Sequence, residues 1–134
     1  MINRKNTGVD PKKLINKALH FLSYRPRSKA ELAQRGLAAV IPRLVELDLV
    51  DDQKFAQWWV DQRIRLNPRG NIALKSELTQ KGIDREIIAS VLLSPDQEMA
   101  LAKKLLSKKN LVKPRAQRFL LSRGFSADVV YRLI

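Results

Sequence analysis

The side chains of this sequence that could do chemistry are cations. Lys103, Lys104, Lys108 and Lys109 crowd one segment, and Lys113, Arg115, Arg118 and Arg123 follow directly. Arg63, Arg65 and Arg69 form another group with Lys75 beyond it, and Arg25 and Arg27 make the earliest pair. Guanidinium groups bind phosphate or carboxylate through paired hydrogen bonds, whereas ammonium groups act as point charges. The chemistry on offer is anion recognition rather than bond making. If the lysine-rich segment is one helix, Lys104 and Lys108 share a face, with Lys103 and Lys109 flanking and Leu101, Leu105 and Leu106 opposite.

The charge is unevenly spread. Of the formal +13, residues 1–35 carry nine Lys/Arg against two acids, residues 36–100 eight against ten, and residues 101–134 nine against Asp128 alone. Two strongly basic ends around a slightly acidic middle should attract a polyanion, either a nucleic acid or an acidic protein surface.

Other reactive residue types are scarce. The chain has no Cys, which excludes disulfides, thiolate zinc sites and thiol nucleophiles. His20 is the one histidine; it sits in an apolar helical stretch without a placed partner and reads as a packing residue, not a general base. Arg69-Gly70 lacks the surrounding pattern of a phosphate-cradling loop. Asp51-Asp52 could suggest a metal or acid–base pair, but adjacent helical residues do not face each other, and a helix cap accounts for them. Neighbours on a helix point about 100° apart, so Trp58 and Trp59 are not expected to be buried together. Trp59 falls on the core stripe; Trp58 is expected to be half-covered by a neighbouring unit or to anchor an interface. No catalytic residue, metal site or cofactor is expected.

The elements that must position the cations are helices. Good helix formers dominate, with only five Gly and six Pro. Asp10-Pro11 caps a stripe of Leu14, Ile15, Ala18, Leu19 and Leu22. Ser28 to Glu31 reads as a capping box. Val40, Ile41, Leu44, Val45 and Leu47 form a third stripe, and Asp51-Asp52 precedes Phe55, Ala56, Trp59, Val60 and Arg63. Ile72, Leu74 and Leu78 line a helix ended by Lys81-Gly82. Asp84 is expected to cap Ile87, Ile88, Val91 and Leu92. Ser94-Pro95 with Gln97 opens the lysine helix, Pro114 opens one ended by Arg123-Gly124, and Ser126 caps the last. This makes nine helices and no strand pattern. Leu78–Leu92 also superposes on Leu120–Ile134, Lys81-Gly82-Ile83 falling on Arg123-Gly124-Phe125. A unit of about 40 residues and three helices explains this, and such arrays tend to be elongated. The expected organisation is a basic tail over 1–9 and one all-α domain of three repeats, about 10–49, 50–92 and 93–134.

Four stretches resemble the RecX family of recombination regulators: Ala18-Leu19-His20-Phe21-Leu22-Ser23 leading to Arg25-Pro26-Arg27-Ser28 and Glu31-Leu32; Leu47 to Asp52 with Phe55-Ala56; Trp59-Val60 with Arg63; and Arg69-Gly70 leading to Glu77-Leu78 and Lys81-Gly82-Ile83. The likeness covers nearly everything after residue 10 and is weakest in the third repeat. Two departures stand out. The first repeat is about one helical turn short, and Asp48 sits where the family often has Gly or a charged residue before Leu. The resemblance implies tandem three-helix repeats. It implies binding to the RecA recombinase filament on single-stranded DNA, modulation (in the inhibiting direction) of its growth, strand exchange and ATP hydrolysis, and no catalytic residues. The alternative is a helix-turn-helix-like DNA-binding protein, although the last helix offers a poor reading head for base edges. A third reading, a nonspecific or RNA-binding module, lacks interleaved exposed aromatics. Without an apolar leader or a membrane-length apolar run, a cytoplasmic monomer that makes no membrane contact is the expectation.

Overall fold

The computed structural model describes residues 10–134, and the basic tail expected over 1–9 lies outside them. The described chain is all-helical. The first module holds α1 (Pro11–Leu22), α2 (Lys29–Gln34), a 3-10 turn (Ala38–Val40) and α3 (Ile41–Glu46). The second holds α4 (Asp52–Leu66), α5 (Asn71–Gln80) and α6 (Arg85–Val91), and the third α7 (Pro95–Ser107), α8 (Lys113–Ser122) and α9 (Ala127–Leu133). No described helix is long and apolar enough to cross a membrane.

Each module closes on its own core. Ala18, Leu32, Leu37, Val40, Leu44 and Val50 pack in the first. Phe55, Ala56, Val60, Leu74, Leu78, Ile83, Ile88 and Val91 fill the second, and Leu101, Ala102, Leu120, Phe125, Val129 and Val130 the third. Each fully buried Leu, Val or Phe contributes about 1.5–3 kcal/mol relative to exposure. Ile64 and Leu93 pack against both the second and third cores and bind those modules together.

Local chemistry sets the helix starts. Asp10, Asp51 and Ser126 accept the first-turn N–H groups of α1, α4 and α9, and Ser28 and Ser94 complete capping boxes with Glu31 and Gln97. The stops repeat as well. The second helix of every module ends in the same motif, with a glycine in the left-handed region (Gly36, φ 78°; Gly82, φ 77°; Gly124, φ 86°). The next residue's N–H reaches back to a carbonyl in the last turn: Leu37 to Leu32, Ile83 to Leu78 and Phe125 to Leu120. The second helices start at Lys29, Asn71 and Lys113, evenly 42 positions apart. The first of them has six residues where the other two have ten, which is the expected shortening.

Expectations about six individual residues need correcting. His20 is exposed on α1, not packed. Ile72 is 59% exposed because, two positions from buried Leu74, it falls on the opposite side of α5. Val45 and Leu47 are likewise more than 40% exposed. Asp84 occupies the cap position of α6 without a side-chain hydrogen bond to it. Trp59, read as core, is half-buried against the second core because its indole N–H reaches Glu77 at the edge, 2.9 Å away.

Adjacent modules join by a repeated device. The stop of one module's second helix packs on the start of the preceding module's second helix. Ser28 Oγ donates to the Lys81 carbonyl at 2.7 Å, and a Cβ on Gly82 would overlap Ala30. One module on, Gly70 N–H donates to the Arg123 carbonyl at 2.9 Å and Ile72 N–H to the Gly124 carbonyl at 3.0 Å. A Cβ on Gly70 would overlap the Phe125 backbone. A carboxylate from the following module caps each helix start: Asp52 accepts the Lys29 N–H, and Glu98 accepts the Asn71 N–H, both at 2.9 Å. Glu98 is 3% exposed and also takes the Ser126 N–H, so its buried charge is hydrogen-bonded on both sides of the joint.

Candidate functional site: a cationic cleft between the second and third modules

The fourteen cations singled out in the sequence fall into two populations. The first makes contacts within the protein. Arg25 bridges Glu31 at 2.6 Å, with Lys81 on the same carboxylate at 3.2 Å, so it belongs to the first joint. Arg63 pairs with Glu77 at 3.0 Å, and Arg69 approaches the other oxygen of that carboxylate at 4.0 Å. Arg123 donates to the Asn67 side chain and lies over the Phe119 ring. Arg27 donates to the Phe21 carbonyl and covers the Phe21 ring, facing a different groove.

The second population is exposed: Arg65, Lys75, Lys103, Lys104, Lys108, Lys109, Lys113, Arg115 and Arg118. Lys109 rests over the Phe119 ring. The lysine cluster is not wholly helical as expected. α7 ends at Ser107, Lys108 is its cap residue and Lys109 lies beyond. Positive side chains at a helix end are favoured by the partial negative charge of its free carbonyls; Arg65 stands in the last turn of α4 for the same reason.

Three of these cations converge. A cleft of about 430 Å³ opens between the end of α4 and α7, with Arg65, Lys104 and Lys108 on its walls and Ile64, Leu66, Leu101 and Leu105 as apolar lining. A shallower groove of about 320 Å³ adjoins it and shares Ile64, Leu101 and Lys104. Leu66 is 72% exposed and Pro68 lines the cleft beside it. An apolar floor edged by cations can bury a partner's apolar side chain while pairing its carboxylates or phosphates. Lys113, Arg115 and Arg118 stand exposed on α8, outside the lining of the cleft. Leu66 was not singled out from the sequence. An exposed leucine next to a helix-breaking Asn-Pro was the available signal.

Trp58 is half-buried. It packs on the second core, 6.0 Å from the Phe55 ring and 6.3 Å from Trp59, with the Arg25 guanidinium 6.0 Å away. Its coverage by the preceding module is thus a cation–π contact. Asp51 caps α4 and Asp52 caps α2, and burial raises the Asp52 carboxyl above its usual range, with the Lys29 hydrogen bond opposing. Among the described residues no group of three His, Asp or Glu side chains could hold a metal ion.

Comparison with known proteins matches this architecture. The family model for the RecX second three-helix domain matches residues 51–92, and that for the RecX first three-helix domain matches residues 15–38. The regulatory protein RecX of Thermobifida fusca is 33% identical over 136 residues, covering 87% of this chain and 74% of that protein. That of Bacillus subtilis is 38% identical and covers 92% of this chain, which spans only 54% of the Bacillus protein. The crystal structure of RecX from Lactobacillus salivarius superposes with a TM-score of 0.74 at 26% identity, covering 92% of this chain and 93% of that one.

Proposed function

The chain belongs to the RecX family of regulatory proteins, and we propose that it binds the RecA recombinase filament on single-stranded DNA and restrains its activity. The cleft between α4 and α7, together with the exposed cations of α8, is the contact surface in this reading. Its main support is the convergence of Arg65, Lys104 and Lys108 on one cleft with an exposed leucine in it. Such a surface suits a macromolecule offering both apolar side chains and negative charge, which a protein filament wrapped on DNA does. A repeat array also presents its surface over several helices, as contact with more than one filament subunit requires.

The alternative of a helix-turn-helix-like DNA reader gains no support from α9. Its only polar side chains among the described residues are Asp128, Tyr131 and Arg132, and Arg132 pairs with Asp128 at 3.3 Å. The test is ATP hydrolysis by filaments assembled on single-stranded DNA. Added protein should lower the rate, and an unchanged rate at several-fold excess over recombinase overturns the proposal.

A further inference from the structure

A second groove, of about 650 Å³, lies on the first module, away from the cleft between the second and third. Lys17, His20, Phe21 and Tyr24 enter it from α1 and the turn after it, Arg27 from the loop before α2, and Arg35 from the end of α2. The spacing on α1 puts Lys17, His20, Phe21 and Tyr24 on one side of that helix.

Among the described residues three cations share this groove and no carboxylate lines it. Both guanidinium groups stand over the Phe21 ring, Arg27 at 3.7 Å and Arg35 at 4.2 Å. At these distances the two guanidinium groups take opposite faces of the ring, each attracted by its negative potential. Burial, followed by the Arg25 and Arg35 charges, pulls the Arg27 guanidinium below its ordinary value. The nearest acid, Glu31, opposes this but is occupied by Arg25, Lys81 and the Ser28 N–H. Beside the cations stand two aromatic rings. Tyr24 is 70% exposed, and His20 meets it edge-on at 5.2 Å.

We propose that this groove binds a nucleotide, with its phosphate on Arg27, Arg35 and Lys17 and its base against the Tyr24 ring. A single guanidinium can take two phosphate oxygens through parallel N–H donors, and an exposed aromatic face stacks any base. A groove of this volume falls in the range of small-ligand sites. An acidic peptide would satisfy the cations but would leave the Tyr24 face unused. The same chemistry fits a free nucleoside triphosphate or one nucleotide of a single strand, and the two sources are told apart by the probe.

The proposal is independent of recombinase binding and is tested without it. ATP and a short oligothymidylate are titrated separately into the protein, with Lys104→Glu, Lys108→Glu and Arg115→Glu present to silence the other cationic surface. Binding of ATP alone identifies a free-nucleotide site, and binding of the oligonucleotide alone a strand site. Arg35→Gln, at an exposed position, should weaken the bound probe about tenfold. Tyr24→Leu should weaken ATP or the oligonucleotide severalfold while leaving inorganic tripolyphosphate unchanged. Arg27→Gln is the stronger variant, interpreted only if its circular dichroism matches the parent. Failure of both probes to bind, equal affinity in Arg35→Gln, or displacement by polyglutamate as efficient as by nucleotide each overturns the assignment.

Discussion

Ser28 joins Lys81 across 53 positions of sequence, its hydroxyl donating to the Lys81 carbonyl at 2.7 Å, while the same oxygen accepts the Glu31 N–H at 3.1 Å. One fully buried hydroxyl therefore starts α2 and fastens the first module to the second.

Ser28→Ala removes both roles. Loss of the cap costs about 1 kcal/mol, and leaving the Lys81 carbonyl unpaired adds roughly 1–2 kcal/mol. Urea unfolding should show a loss of about 2–3 kcal/mol, and a loss below about 0.5 kcal/mol would contradict the joint.

Gly36 and Gly124 separate backbone strain from packing. Both have φ in the left-handed region, but a Cβ on Gly36 meets nothing within 4 Å whereas one on Gly124 overlaps Ala73. Gly36→Ala should cost about 1 kcal/mol. Gly124→Ala should cost at least about 2 kcal/mol more by forcing the second joint apart. Equal midpoint shifts in thermal unfolding would show that the joint is looser than described.

Asp48 offers the opposite change. It ends α3 with φ 58°, the Leu49 N–H returning to the Leu44 carbonyl at 2.9 Å, in the conformation glycine favours. Its ion pair with Lys54 is exposed on both sides and adds little. Asp48→Gly should stabilise the fold by about 0.5–1 kcal/mol; a lower urea midpoint would show that the ion pair matters more than the strain.

Glu31 gives a pH dependence. Burial pushes its carboxyl up, but hydrogen bonds from Arg25, the Ser28 N–H and Lys81 outweigh burial and hold it below the usual carboxylate value. A group depressed in the fold adds stability above its unfolded value, near pH 4.3, and loses it as pH falls through the folded one. Wild type should therefore lose stability from about pH 4.3 downward more steeply than Glu31→Gln, as urea midpoints along a pH series would show. Parallel curves would mean that the Arg25–Glu31–Lys81 cluster is not coupled to folding. Asp52, raised in the fold mainly by burial, acts in the opposite sense over acid pH and softens the slope in both proteins.

The helix starts were legible in the sequence because a cap is a local bond: Ser28 with Glu31, Ser94 with Gln97 and Asp51 with Gln53 all lie within four residues. The 42-residue repeat was legible because Lys81-Gly82 and Arg123-Gly124 end equivalent helices with the same stop. What remained hidden depends on contacts between distant segments. Arg63 and Arg65 look alike in sequence, yet one pairs with Glu77 and the other faces the cleft. Arg25 seemed a surface cation until Glu31 and Lys81 were brought beside it. Asp84 occupies a cap position but makes no cap bond. His20 lay in an apolar run in which Ala18 is buried in the core, while His20 itself faces the first-module groove.

The central claim is that the cations of the third module act on the filament. The direct measurement is inhibition of filament ATP hydrolysis by wild type and by the combined Lys104→Glu, Lys108→Glu and Arg115→Glu variant, with circular dichroism confirming unchanged helicity. Three reversals at exposed positions should raise the concentration needed for half inhibition at least about tenfold, and the difference should shrink as salt rises. Full inhibition by the variant at the wild-type concentration would contradict the account.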